Sequence, residues 1–169
     1  YVLFLGRINW KKGLDRLLAA FARLDDARLV IAGNDDDQYR PALEQKALLL
    51  GLANRVTFTG PVHGAGKAAL LTGAQLLVLP SYSENFGNVV LEAMASGLPI
   101  VATDIPAITA MLDERSATLA AKESAADLAE RLDWAIRNRD TVLRRAEAAR
   151  EKAREYDWAL TARQEIEET

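Results

Sequence analysis

A doubly wound α/β domain, with a parallel sheet at its centre and a helical region at its C-terminal end, is the fold this 169-residue sequence predicts. Three observations predict it. Short β-type runs alternate with helical stretches along the first 121 residues. Several of the runs are nearly continuous in apolar residues, as strands covered on both faces by helices are. The intervening stretches carry apolar residues at spacings of three and four, the stripe of a helix that buries one side. A domain of this kind binds its ligands in loops at the carboxyl ends of its strands, so functional residues are expected just after the apolar runs.

The strands are expected at Tyr1 to Leu5, Arg28 to Ala32, Arg55 to Thr59, Leu76 to Leu79 and Ile100 to Thr103. Between the first two, Leu14, Leu17, Leu18, Phe21 and Leu24 form an amphipathic stripe over Gly13 to Leu24. Weaker helical patterns occupy Tyr39 to Leu50, Ala65 to Leu71 and Asn88 to Ala95. Residues 122–169 contain no Gly or Pro and read as consecutive helices, rich in Ala, Glu, Arg and Leu. The charges of "RRAEAAREKAREYDW" read as a solvated helical face, with pairs at spacings of three or four. No repeat or clear interdomain linker is visible, so residues 1–169 are taken as one domain.

Composition narrows the chemistry. Half of the residues are hydrophobic, enough for a sizeable core. With no cysteine there is no disulfide, no thiolate nucleophile and no cysteine-ligated zinc, and His63 is the only histidine. The net charge of −3 gives no global attraction to nucleic acid. No apolar run approaches the ~20 residues of a membrane span, and no leader is visible. The expectation is a soluble, cytoplasmic protein with no transmembrane segment, leaving room for peripheral membrane association of a larger whole. The chain opens without a methionine on the run Tyr1-Val2-Leu3-Phe4-Leu5, as an excised domain would.

Two stretches carry candidate chemistry. Gly6-Arg7-Ile8-Asn9-Trp10-Lys11-Lys12-Gly13 joins a strand to a helix with two glycines and fixed positive charge, which together suit phosphate; an ordinary basic loop would look the same. "SYSENFGNVVLE" places Glu84 in a loop and Glu92 in the helix that follows, where both can face one crevice. A carboxylate beside a phosphate site repels phosphates, so a functional role requires neutral hydroxyls as its partners, such as those of ribose or a hexose. A purely structural acid near a helix start is the simpler alternative for Glu92.

"GRINWKKG" resembles the Gly-Arg-x4-Lys-Gly loop, and "ENFGNVVLE" the Glu-x7-Glu motif, of the C-terminal, donor-binding domain of retaining glycosyltransferases of family 4 with the GT-B fold. The likeness runs over essentially the whole chain, through "EAMASGLPIVATD" to a "YDW" placed before a final helix. It implies a Rossmann-like half of a two-domain enzyme, whose N-terminal acceptor domain is absent, and a nucleoside-diphosphate sugar as donor, without metal or other cofactor. Arg7 and Lys12 would hold the diphosphate, Glu92 the ribose hydroxyls and Glu84 the sugar hydroxyls. Backbone N–H groups of Phe86, Gly87 and Asn88 would take phosphate oxygens, Gly6 and Gly33 would let the backbone pass close to the nucleotide, and the chain around Val62 would meet the base. Asn85 stands where many relatives have Gly, and could add a contact to the sugar. "IPAITAML" replaces a common Gly-Gly and Glu after Asp104, and the segment near "RSATLAA" is blurred, so nothing is carried over to either. The same residues would also fit a module that binds nucleotide-sugar or nucleotide without turning it over, or an unrelated doubly wound domain with chance matches.

Other candidates are set aside. "GPVHGAGKAA" has Pro61 where a phosphate-binding loop needs its first glycine, and Ala68 where it needs a hydroxyl. "GNDDD", Gly33 to Asp37, reads as a solvated acidic loop rather than a metal site. His63 is read as a loop residue near the site, without the partner a general base needs. Trp10, Trp134 and Trp158 are read as packing residues, with Trp10 also a candidate contact to the absent domain.

Overall fold

In the computed structural model, residues 1–84 and 88–167 are described, with side chains up to residue 156. Six parallel strands form one sheet: β1 (Val2–Leu5), β2 (Leu29–Ala32), β3 (Val56–Gly60), β4 (Leu76–Leu79), β5 (Ile100–Thr103) and β6 (Thr118–Ala120), in the order β3-β2-β1-β4-β5-β6. The chain winds outward from β1 to β3, crosses back to β4 and winds outward again. β1 and β4 are therefore neighbours at the point where the strand order reverses, the place where such sheets open a crevice at their carboxyl edge.

β1, β4 and β5 are buried at every position, as nearly continuous apolar runs require. β3 alternates between half-buried and exposed residues, because it is an edge strand. Parallel pairing sets Val2 beside Leu29 and Leu5 beside Ala32. On the other flank of β1 the register runs only from Val2 beside Leu76 to Leu3 beside Leu77.

The helices are α1 (Leu14–Phe21), α2 (Arg40–Leu49), α3 (Gly64–Gly73), α4 (Asn88–Ala95), α5 (Pro106–Thr109), α6 (Ala125–Arg137) and α7 (Arg139–Glu167). α1 buries Leu14, Leu17, Leu18 and Phe21 and packs with α2 and α6, whereas α4 packs with α7. With this strand order, the right-handed rule for parallel crossovers assigns α1 and α2 to one face of the sheet and α3 and α4 to the other. Each fully buried leucine of α1 contributes about 2 kcal/mol of transfer free energy.

Two sequence expectations are corrected. "YDW" does not precede a final helix: Tyr156, Asp157 and Trp158 lie inside α7, where no Gly or Pro interrupts the run. Trp10 does not pack: it is 63% exposed in the loop after β1, where a short 3-10 turn, Trp10–Lys12, carries it away from the sheet. Trp134 is partly exposed at the edge of the packing, with the Arg145 guanidinium 4.8 Å above its ring. The side chain of Trp158 lies outside the described residues.

Candidate functional site

The loop after β1 is shaped by its own residues. Asn9 Oδ1 accepts from the Lys11 N–H at 3.1 Å and starts the 3-10 turn, and Gly13 ends it at φ +69°. A Cβ on Gly13 would collide with the Pro80 carbonyl oxygen, so only glycine lets this loop approach the one after β4. Gly33, at φ +152°, has the same role one strand over: a Cβ there would meet the Gly6 carbonyl oxygen. Gly33 is thus required by the packing of its own loop against Gly6, whatever it does for a ligand.

Lys12, Arg7 and Lys67 are each held by a carboxylate from another loop or helix. Lys12 Nζ donates to both oxygens of Glu84, at 2.6 and 2.9 Å, and the Ser81 hydroxyl donates to Glu84 Oε2 at 2.8 Å. This pair is largely enclosed, the two side chains being 19% and 14% exposed. Ser81 is fully buried, and its carbonyl accepts from the Thr103 hydroxyl at 2.7 Å, which ties the loop to β5. Arg7 reaches Asp36 at 3.1 Å in open solvent. Lys67 of α3 meets Glu92 of α4 at 2.9 Å.

A cavity of about 230 Å³ opens at the carboxyl edge, lined chiefly by Gly6, Arg7, Gly33, Val62, His63 and Lys67. The structure therefore brings together Gly6, Arg7, Gly33 and Val62, which the sequence marks, with His63, which the sequence reads as a loop residue near the site, and adds Lys67. His63 occupies the cap position of α3, with its side chain exposed and making no capping bond. Glu84 and Glu92 do not share a partner and neither lines this cavity; Glu92 is joined to it through Lys67, and Glu84 sits with Lys12 beside the first loop. Asn88 begins α4 and is exposed. Asn85, Phe86 and Gly87 lie outside the described residues.

Lys67, Ser81 and Asp36 were not singled out by the sequence. Lys67 sits in "HGAGK", whose glycines invite a phosphate-loop reading that fails on spacing and so discards the lysine with the motif. Asp35, in the acidic loop, has a local purpose: its carboxylate accepts from the N–H groups of Tyr39 and Arg40 at 2.7 and 3.1 Å, satisfying donors at the start of α2. Burial raises the pKa of the neighbouring Tyr39 phenol above its usual value, with the nearby Asp15 charge and Tyr82 adding to the effect.

The family model for glycosyl transferases group 1 matches residues 1–155. The chain belongs to this family. Among curated relatives it is similar to an uncharacterized glycosyltransferase of Methanocaldococcus jannaschii, 39% identical over 62% of this chain and 27% of that protein. It is also similar to the D-inositol 3-phosphate glycosyltransferase of Mycobacterium avium, 37% identical over 80% of this chain and 33% of that one. Among solved structures, Anabaena HepE in complex with UDP-glucose superposes with a TM-score of 0.89 at 26% identity, over 99% of this chain and 47% of that chain. The group 1 chain thus spans a third or less of these curated relatives and about half of HepE. Its six-stranded parallel sheet with flanking helices is the Rossmann-like fold of GT-B glycosyltransferases. Among its described residues, no helix is long and apolar enough to cross a membrane.

Proposed function

We propose that this chain is the donor-binding domain of a retaining glycosyltransferase of family 4, working with a second domain that supplies the acceptor. The observation that carries the reading is the cavity at the carboxyl ends of β1, β2 and β3, where Gly6, Arg7, Gly33 and Val62 converge, with Lys12 and Glu84 paired in the loops that follow β1 and β4. HepE, similar over nearly this whole chain, is described with UDP and with UDP-glucose, which supports a nucleoside-diphosphate sugar as the ligand.

In this reading the base lies against Val62, and the ribose hydroxyls donate to Glu92. The diphosphate lies between Arg7, Lys12 and the positive end of α4 near Asn88. The sugar hydroxyls meet Glu84. Departure of the diphosphate builds negative charge, which Arg7, Lys12 and the helix end stabilise more strongly as it grows, without requiring a bound metal. Retention without a protein nucleophile follows if the acceptor attacks from the face the diphosphate leaves. The acceptor side of the cleft belongs to the second domain, so the 169-residue chain binds donor and does not transfer the sugar.

Titration of the chain with UDP, GDP and ADP tests this. Saturable binding of one of them, lost in Glu92→Ala and weakened about tenfold in Arg7→Ala, is the expected result. No binding of any at millimolar concentration sinks the donor reading, and sugar transfer by the chain alone sinks its division between two domains.

A further inference from the structure

Arg16 is, among the described residues, the one charged residue buried in the core, at 6% exposure. It lies on α1, four positions after Lys12, between leucines that pack against the sheet. Its Nη2 donates to the Pro80 carbonyl at 2.5 Å, and its guanidinium lies 4.3 Å from the centre of the Tyr82 ring. Among the described residues its Nε and Nη1 have no hydrogen-bond partner, and neither does the buried Oδ1 of the adjacent Asp15.

A buried cation with unsatisfied donors is a poor way to gain stability, since an apolar side chain of similar volume would avoid the desolvation cost. What a guanidinium offers instead is direction: a planar group that fixes a carbonyl at its edge and an aromatic ring against its face. Both objects belong to the segment Pro80 to Glu84. Tyr82 is held there a second time, by its N–H donating to the Lys11 carbonyl at 2.8 Å. Gly13 leaves the space in which the Pro80 carbonyl and Arg16 Nη2 meet.

The ladder between β1 and β4 does not set this spacing, although Thr103 of β5 anchors Ser81. Pairing between β1 and β4 ends at Leu3 beside Leu77, so the two strands lead into their loops without a shared ladder. The distance between the Lys12 ammonium and the Glu84 carboxylate then depends on contacts made outside that ladder. We infer that Arg16 is a positioning residue, a strut through Pro80 and Tyr82 that sets the register between the loop carrying Lys12 and the loop carrying Glu84. The inference rests on the donor reading only for its consequence: Arg16 touches no ligand, yet it fixes the spacing between the diphosphate end and the sugar end of the site.

Arg16→Met in the 169-residue chain tests it, with amide hydrogen exchange read residue by residue. The expected result is Tyr82 N–H exchange faster by about tenfold or more, with the amides of Leu3 and Phe4 unchanged. Tyr82→Leu, which leaves α1 intact, must speed exchange at residues 81–83 in the same way, and decides the matter if Arg16→Met does not fold. Titration with UDP and UDP-glucose adds the functional readout: UDP affinity stays within about twofold, while any advantage of UDP-glucose over UDP is lost. Unchanged Tyr82 exchange in the variants overturns the strut, and so does equal weakening of both ligands, the mark of general loosening. If the unsubstituted chain binds neither ligand, the donor reading fails and the exchange measurement alone decides the strut.

Discussion

Lys12–Glu84 and Arg7–Asp36 each join a base from the loop after β1 to an acid from another loop, yet they are built for different purposes. The first is enclosed and two-pronged, with Ser81 as a third member. The second is a single contact between side chains 72% and 53% exposed. Water and salt compete for the second and not for the first, so the same formal charge pairing is scaffold in one place and an exchangeable contact in the other. Lys67–Glu92, about a third exposed on both sides, stands between them.

The largest stability loss is expected where a partner leaves an enclosed charge behind. Lys12→Met strands the Glu84 carboxylate with only the Ser81 hydroxyl, and about 2 kcal/mol of unfolding free energy should be lost in urea titration. Glu84→Gln keeps an acceptor for Lys12 and should cost about half as much. A loss below about 0.5 kcal/mol for Lys12→Met would place this pair with the open one and erase the contrast.

Lys67→Met should fall lower, at ~0.5 kcal/mol, because partly exposed pairs between helices gain little over hydrated ions. Its effect on a bound nucleotide is the sharper readout. Glu92, released from Lys67, becomes free to turn, so affinity for UDP should drop several-fold while the urea midpoint barely moves. An unchanged affinity would show that Glu92 does not need its lysine.

How far the sequence reveals this molecule follows from the range of each interaction. β4, β5 and α4 lie where the apolar runs place them, because burial on both faces and turn residues such as Pro80 are written into neighbouring positions. β6, with three residues, and α5, with four, are too short to show a period. The glycines and bases of the first loop are visible because a strand-to-helix turn with that composition is locally unusual. Their partners are not: Asp36, Lys67 and Ser81 acquire meaning only when loops far apart in the chain meet at the sheet edge. Arg16 is the extreme case. In sequence it interrupts an apolar stripe as an ordinary helix surface residue would, and only the crossing from α1 to Pro80 shows that it points inward.

The smallest stability effect belongs to the open pair, and that is where binding and folding should separate most cleanly. Removing Arg7 deletes a contact that solvent already screens, so Arg7→Ala and Asp36→Asn should each change unfolding free energy by less than about 0.5 kcal/mol. A diphosphate, unlike Asp36, presents several oxygens and more charge to the guanidinium, and can take it in two-pronged fashion. Arg7→Ala should therefore weaken UDP binding by about tenfold, equivalent to ~1.4 kcal/mol, at almost no cost in stability. Asp36→Asn should leave that affinity unchanged or raise it, because it removes only a competitor for the same arginine. Raising salt from 50 to 500 mM should shrink the Arg7→Ala effect on UDP while leaving the Lys12→Met effect on unfolding nearly intact. If both effects respond to salt alike, burial is not what distinguishes the two pairs, and Lys12 is as exchangeable as Arg7.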